Sequence, residues 1–213
     1  MPVTRLGWVA ALCATVLALA ACAQLPPEFT TATTPAASAA IAVYATGADD
    51  APLRDALVYL RPVDAQASDP PATATLDLMH RQFEPRVLAV SAGTEVTIHN
   101  LDEVDHDLYS FSPAMPFSLR LAAKGGSAPL KFAHPGVVVL GCKVHDEMVG
   151  YVYVTDTPYY GKTDGNGYLR LAGLPPGRYT LGLWQAGVAG KDDAQPRPLT
   201  LTAGVEQAVR IRL

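Results

Sequence analysis

Cys142, His145 and Met148 fall within one short segment, Gly141-Cys-Lys-Val-His-Asp-Glu-Met148, at spacing Cys-x-x-His-x-x-Met. A second imidazole, His106, stands upstream beside Asn100-Leu101-Asp102, close to a different expected strand end. Thiolate and thioether are soft donors that suit Cu(I), while imidazole also accommodates Cu(II). Two His, one Cys and a weak axial Met therefore make a donor set that holds copper in both oxidation states with little rearrangement. That is what passing single electrons requires. Zinc fits this set poorly, because thioether is not among its usual ligands. A Cys142 nucleophile with His145 as base would need a third orienting group and an oxyanion site, neither of which is evident, and Met148 would have no purpose. Five His in 213 residues are too few for a multicopper oxidase. The chain is read as a binding protein and not an enzyme.

The elements that must position these residues begin after a leader. Arg5 precedes an apolar, alanine-rich run over residues 7–21, too short and too quickly followed by polar residues for a membrane span; residues 1–21 read as a secretory signal. The run ends Leu19-Ala20-Ala21-Cys22, similar to a bacterial lipobox, which implies that Cys22 becomes the lipidated first residue of the mature chain. Cleavage after Ala23, giving a soluble periplasmic protein, is the alternative. With Cys13 lost and Cys22 lipidated, Cys142 is the sole remaining thiol, so no disulfide can form in an oxidising compartment that favours them. A lone thiol there must be buried or held by metal. The formal charge of −4 and the absence of a basic run give no sign of nucleic-acid binding.

Residues 22–38 carry one charge, several prolines and no apolar period, and read as a tether. Beyond it, short apolar runs alternate with Gly, Pro, Asp and Asn, among them Ile41 to Tyr44, Ala56 to Leu60, Arg86 to Val90, Glu95 to His99, Leu108 to Phe111, Val137 to Leu140, Tyr151 to Val154 and Tyr179 to Trp184. Ala208-Val-Arg-Ile-Arg-Leu213 alternates strictly and should bury one face. No window has a helical period. The class is all-β, with antiparallel sandwiches expected. Thr163-Asp-Gly-Asn-Gly167 reads as a turn, since too few oxygens follow Asp164 and Asn166 for a calcium site. His80, His99 and His134 lack partners at ligand spacing, and Met79 and Met115 read as core or collar residues.

Residues 82–154 resemble the cupredoxin (blue-copper) family through Phe83-Glu-Pro85, Val87 to Val90, Gly93-Thr94, Asn100-Leu-Asp102, His106, Gly136-Val137 and the Cys142 loop. That loop looks most like amicyanin, and the pattern around it is similar to plastocyanin-like lipoproteins labelled methylamine utilisation proteins. The stretch Thr163 to Trp184 resembles carboxypeptidase-regulatory-like, transthyretin-like sandwiches, in which residues 39–62 would supply the first strands. The resemblance implies a Greek-key copper sandwich over residues 74–155, joined to and inserted in a small sandwich built from 39–62 and 157–213; the alternative is that residues 39–62 add strands to the copper domain.

It also implies one type 1 copper ion, with His106, Cys142 and His145 in a plane and Met148 on the axis. His145 would be the electron port, inside a collar of Val144, Val149, Met115 and Pro116. The expected partner is a redox protein such as a c-type cytochrome or a periplasmic dehydrogenase. The protein is expected to be a monomer, lipid-anchored in the bacterial cell envelope on the periplasmic side. Ala23 in place of Asp favours the outer membrane by the same resemblance. Copper storage or delivery without electron transfer is the alternative function.

One departure stands out: many cupredoxins have Asn after the first His, where this chain has Asp107. An acidic group so near the thiolate is expected to favour Cu(II) and lower the potential. Asp146 and Glu147 read as a solvated edge beside His145, with a basic partner as the alternative use. Because the port imidazole is expected near solvent, acid should protonate it and compete with copper. The thiolate-to-copper absorption band should therefore fade on acid titration; a band unchanged to strongly acid pH would contradict an accessible His145.

Overall fold

The apolar–polar alternation resolves into sixteen strands, with no helix among the described residues. The structure, a computed structural model, describes residues 37–64, 72–187 and 196–213. The leader 1–21, Cys22 and nearly all of the tether lie outside that range. Among the described residues no helix is long and apolar enough to cross a membrane.

The strands run β1 (Ala39–Thr46), β2 (Leu57–Pro62), β3 (Thr73–Met79), β4 (Gln82–Glu84), β5 (Val87–Ser91), β6 (Thr94–Asn100), β7 (His106–Ser110) and β8 (Phe117–Leu121). They continue with β9 (Ser127–Phe132), β10 (Gly136–Cys142), β11 (Val149–Thr155), β12 (Tyr160–Lys162), β13 (Tyr168–Leu174), β14 (Gly177–Trp184), β15 (Arg197–Leu201) and β16 (Glu206–Arg212). Four sheets result. The middle of the chain forms two, ordered β5-β11-β10-β7-β8 and β4-β3-β6-β9. The two ends of the chain form the others together, ordered β13-β1-β16 and β12-β2-β14-β15. Pairing is mixed: β1 with β16, β3 with β6 and β5 with β11 run parallel.

Successive side chains on a strand point to opposite faces, and this period decides what each sheet covers. Ile41, Val43 and Ile211 from one sheet meet Val58, Leu60 and Leu181 from another in one core. Leu76, Ile98 and Phe132 meet Leu108, Leu140 and Val152 in a second. A third, smaller core joins the two sandwiches: Leu57, Tyr59 and Trp184 pack on Val87 and Tyr153. The sheet holding β2 and β14 and the sheet holding β11 are thus covered on both faces. That is why Leu57-Val-Tyr-Leu60 and Tyr151-Val-Tyr-Val154 are continuous apolar runs where one-sided strands would alternate.

Aromatic rings dominate the junction. Trp184 lies 5.3 Å from Tyr153 and 5.8 Å from Tyr151 between ring centroids, and Tyr59 stacks on Tyr153 at 5.9 Å. Gly182, opposite Tyr59 in the β14–β2 ladder, leaves room for that ring to cross the strand, space a Cβ would take. Elsewhere Asp164 Oδ1 accepts the N–H groups of Asn166 (2.8 Å) and Tyr168 (2.9 Å), which makes Thr163 to Gly167 a turn. Removing the indole from this dry junction should cost about 3–5 kcal/mol. Trp184→Ala is accordingly expected to lower the thermal midpoint by roughly 10 °C, measured by calorimetry; a change of a degree or less would show that the two sandwiches do not depend on this contact.

Candidate metal centre

The ligand geometry follows from one pair of strands. β7 and β10 are antiparallel, with Cys142 opposite Leu108 and Gly141 opposite Tyr109, so the first residue of β7 lies near the last of β10. Alternation then sends His106, Leu108 and Ser110 to the inner face, where all three are buried. Leu140 and Cys142 face the same way and belong to the same core. On the outer face the Tyr109 ring crosses β10 at Gly141, where a Cβ would come within 2.6 Å of its Cζ. Glycine is required one residue before the thiol for that reason.

After Cys142 the chain turns back. Lys143 donates its N–H to the Asp107 carbonyl at 2.9 Å, and Met148 donates its N–H to the His145 carbonyl at 3.0 Å. This folds His145 over the end of the sheet. Its Nδ1 stands 3.8 Å from Cys142 Sγ, and His106 Nδ1 stands 3.7 Å from the same sulfur. The three donor atoms lie within 4.8 Å of one another, and the two imidazole centroids are 5.0 Å apart. Bonds of about 2.0 Å to nitrogen and 2.3 Å to sulfur, separated by the ~120° of a trigonal plane, would span about 3.7 Å. The separations and the donor chemistry therefore fit one copper ion. Met148 is buried in the same core as Cys142.

Exposure is graded across the set. His106 and Cys142 are 0% and 3% exposed, whereas His145 is partly open. His145 and Met148 line a cleft of about 860 Å³ together with His80, Arg81 and Arg86. Val144 is well exposed beside it and Val149 partly so.

Behind the donors lies a polar layer. Asn100 is fully buried, and its Nδ2 donates to the carbonyls of Val104 (2.9 Å), Ala122 (3.0 Å) and Leu121 (3.3 Å). Its Oδ1 accepts the Asp102 N–H at 3.0 Å. The loop leading to His106 is shaped by this one amide. Asp102 in turn accepts the N–H groups of His80 (2.6 Å) and Arg81 (2.9 Å), and its Oδ2 lies 2.9 Å from His106 Nε2. Burial works to raise the pKa of this carboxyl. The hydrogen bonds from Arg81, His106 and His80 outweigh it and hold the group below the ordinary carboxylate value. Family resemblance marks Asn100 and Asp102 as matches without giving them a task. The signal that could have found Asp102 is a carboxylate four residues before a ligand His in a turn-rich stretch.

Several other expectations meet the geometry differently. Asp107 sits on the outer face of β7, opposite to His106, with its carboxylate 3.5 Å from Lys143 Nζ. Its charge is matched and half in solvent, which weakens its reach to the thiolate. The side chain of His99 pairs with Asp77 at 3.4 Å, and Met79 is exposed at a hairpin, away from any core.

No protein-family model matches the chain, and no curated protein matches it. Solved structures similar to part of it include the copper-containing nitrite reductase NirK of Thermus scotoductus SA-01, at 27% identity over 45% of this chain and 25% of that one, with a TM-score of 0.37. A purple cupredoxin from Nitrosopumilus maritimus matches at 24% identity over 38% of this chain and 99% of that one (TM-score 0.34). Oxidised plastocyanin from Dryopteris crassirhizoma matches at 21% over 38% and 99% (TM-score 0.34). The chain thus spans about a quarter of the length of the nitrite reductase.

The Asp107 geometry sets a limit on its effect. Asp107→Asn should raise the copper reduction potential by less than about 59 mV, the one-electron equivalent of a tenfold change in equilibrium constant. Voltammetry of the two proteins reads this directly, and a larger rise would restore Asp107 as a main determinant of the potential.

Proposed function

We propose that this chain is an electron carrier with one type 1 copper ion, held by His106, Cys142, His145 and Met148, anchored through a lipid on Cys22 and facing the bacterial periplasm. The observation that carries the reading is the convergence of two imidazole nitrogens on one buried thiol at 3.7 and 3.8 Å. Copper, when bound, supplies a one-electron Cu(II)/Cu(I) couple.

The chain's own residues supply the rest. Cys142 binds as thiolate from a buried position, which protects a lone thiol in an oxidising compartment. His106 is locked within the sheet and fixes one corner of the site. His145 reaches the surface and is the natural exit for an electron. Met148, held beneath the loop by its own backbone hydrogen bond, offers a soft weak donor that favours the reduced ion. Donors anchored at the ends of two paired strands move little between oxidation states, which keeps the barrier to transfer low. A c-type cytochrome or a periplasmic dehydrogenase is the class of partner proposed. The near-complete burial of Cys142 and His106 supports carriage of electrons over storage or delivery of the metal, which would call for exposed ligands.

Two experiments test the reading. Cu(II) added to the purified protein should give an intense thiolate band in the visible and a reversible one-electron couple. Cys142→Ser should abolish the band; a colourless wild type, or fast loss of copper to a mild chelator, would remove the carrier function. In cells, Cys22→Ser should move the protein from the membrane fraction to the soluble periplasm, and an unchanged distribution would remove the lipid anchor.

A further inference from the structure

The Asp102 carboxylate gathers two main-chain hydrogen bonds from the distant His80–Arg81 segment and also touches a candidate ligand, His106. We propose that Asp102 is a positioning residue for the metal centre, holding His106 as its Nε2–H tautomer so that Nδ1 is the binding atom, while the His80–Arg81 hairpin holds the carboxylate. This rests on the copper reading of the site.

An ionised carboxylate can only accept hydrogen bonds, so the nitrogen 2.9 Å from Asp102 Oδ2 must carry the proton. A neutral imidazole has a single N–H. The lone pair is then on Nδ1, the atom that stands 3.7 Å from Cys142 Sγ. His106 is fully buried, so water cannot take over the task. A carboxylate accepting from Nε2 also strengthens electron donation from Nδ1 to a bound ion, which favours the oxidised state.

The hairpin explains how the carboxylate is held. Met79 pairs with Gln82, which leaves a two-residue connection in which His80 (φ 55°) and Arg81 (φ 59°) are both left-handed. Such a turn ordinarily uses Asn-Gly, because bulky L residues adopt that conformation reluctantly. Here the N–H groups of both residues point at Asp102, one to each oxygen. The unusual turn has a counterpart in the metal centre, as expected when uncommon backbone is found beside a functional group. Only main-chain donors are used, so the imidazole of residue 80 and the guanidinium of residue 81 are dispensable for this task.

Nitrogen-15 NMR of the metal-free protein provides a test independent of copper. In its neutral form His106 should read as the Nε2–H tautomer; an Nδ1–H tautomer would overturn the proposal even if copper binds, and the expected tautomer would stand even if copper does not. Asp102→Asn places an amide N–H₂ or a weaker acceptor against Nε2. It should scramble the tautomer, weaken copper binding about 10–100-fold and raise the reduction potential. Wild-type affinity and potential in that variant would refute the role. The double variant His80→Asn/Arg81→Gly keeps both main-chain donors and should retain the tautomer and the affinity; their loss would refute the hairpin's part. Combining it with Asp102→Asn separates folding from positioning, since a relaxed turn should recover thermal stability without recovering affinity. Recovery of both would reduce Asp102 to a structural residue.

Discussion

The antiparallel pairing of β7 with β10 is the constraint on which the metal centre depends. One strand begins where the other ends, and the two-residue period of each sends His106 and Cys142 to the same dry face. A slip of one residue would turn one of them outward and replace it with Asp107 or Gly141. The rest of the site is arranged around that register. The Cys142 loop has only to fold back once to bring His145 over the sulfur, and the Lys143 N–H to Asp107 carbonyl bond starts that fold.

Polar groups beneath the site are satisfied by short-range geometry. Asn100 spends its amide hydrogens on the carbonyls of Val104, Leu121 and Ala122 and its oxygen on the Asp102 N–H, so a fully buried side chain has no unmet need. Asp102 sits one layer further in the same network. A buried network of this kind is rigid because every member is paired, and rigidity is what a site shared by two oxidation states requires. The exposed half of the centre is built differently: Val144, His145, Asp146 and Glu147 are loop residues carried on a fixed frame of strands.

The His106, Cys142 and His145 grouping and the all-β class are legible in the chain, for identifiable reasons. Three candidate donors are compressed into one short segment, and β16 announces its buried face through Val209 and Ile211, which alternate with Arg210 and Arg212. Other features are hidden. β3 (Thr73–Met79) and β12 (Tyr160–Lys162) were outside the expected strands, the first because it is interrupted by Asp77 and the second because it is three residues long. The strand expected over Leu108 to Phe111 begins instead at His106 and leaves Phe111 in solvent. The polar run Asp102 to Asp107 masks that start, since a buried His at a metal site looks like a turn residue to any hydrophobicity pattern. The position of Asp102 four residues before His106 is legible, but its two main-chain donors, from His80 and Arg81, come from a hairpin more than twenty residues away and leave no mark in the sequence. Periodicity likewise cannot tell a strand covered on both faces from any other short apolar run, so the double burial of β2 and β11 needed the tertiary structure.

The small core of Leu57, Tyr59, Val87, Tyr153 and Trp184 makes the inner sheets common property of both halves. Neither half then has a melting behaviour of its own: pulling the sandwiches apart would wet a broad aromatic face on each at once. Heat would be resisted, and yielded to, by the whole assembly in a single cooperative event. The proposed electron carriage would gain from such unity, because the strands bearing His106 and Cys142 borrow stiffness from a neighbour that supplies none of the candidate ligands.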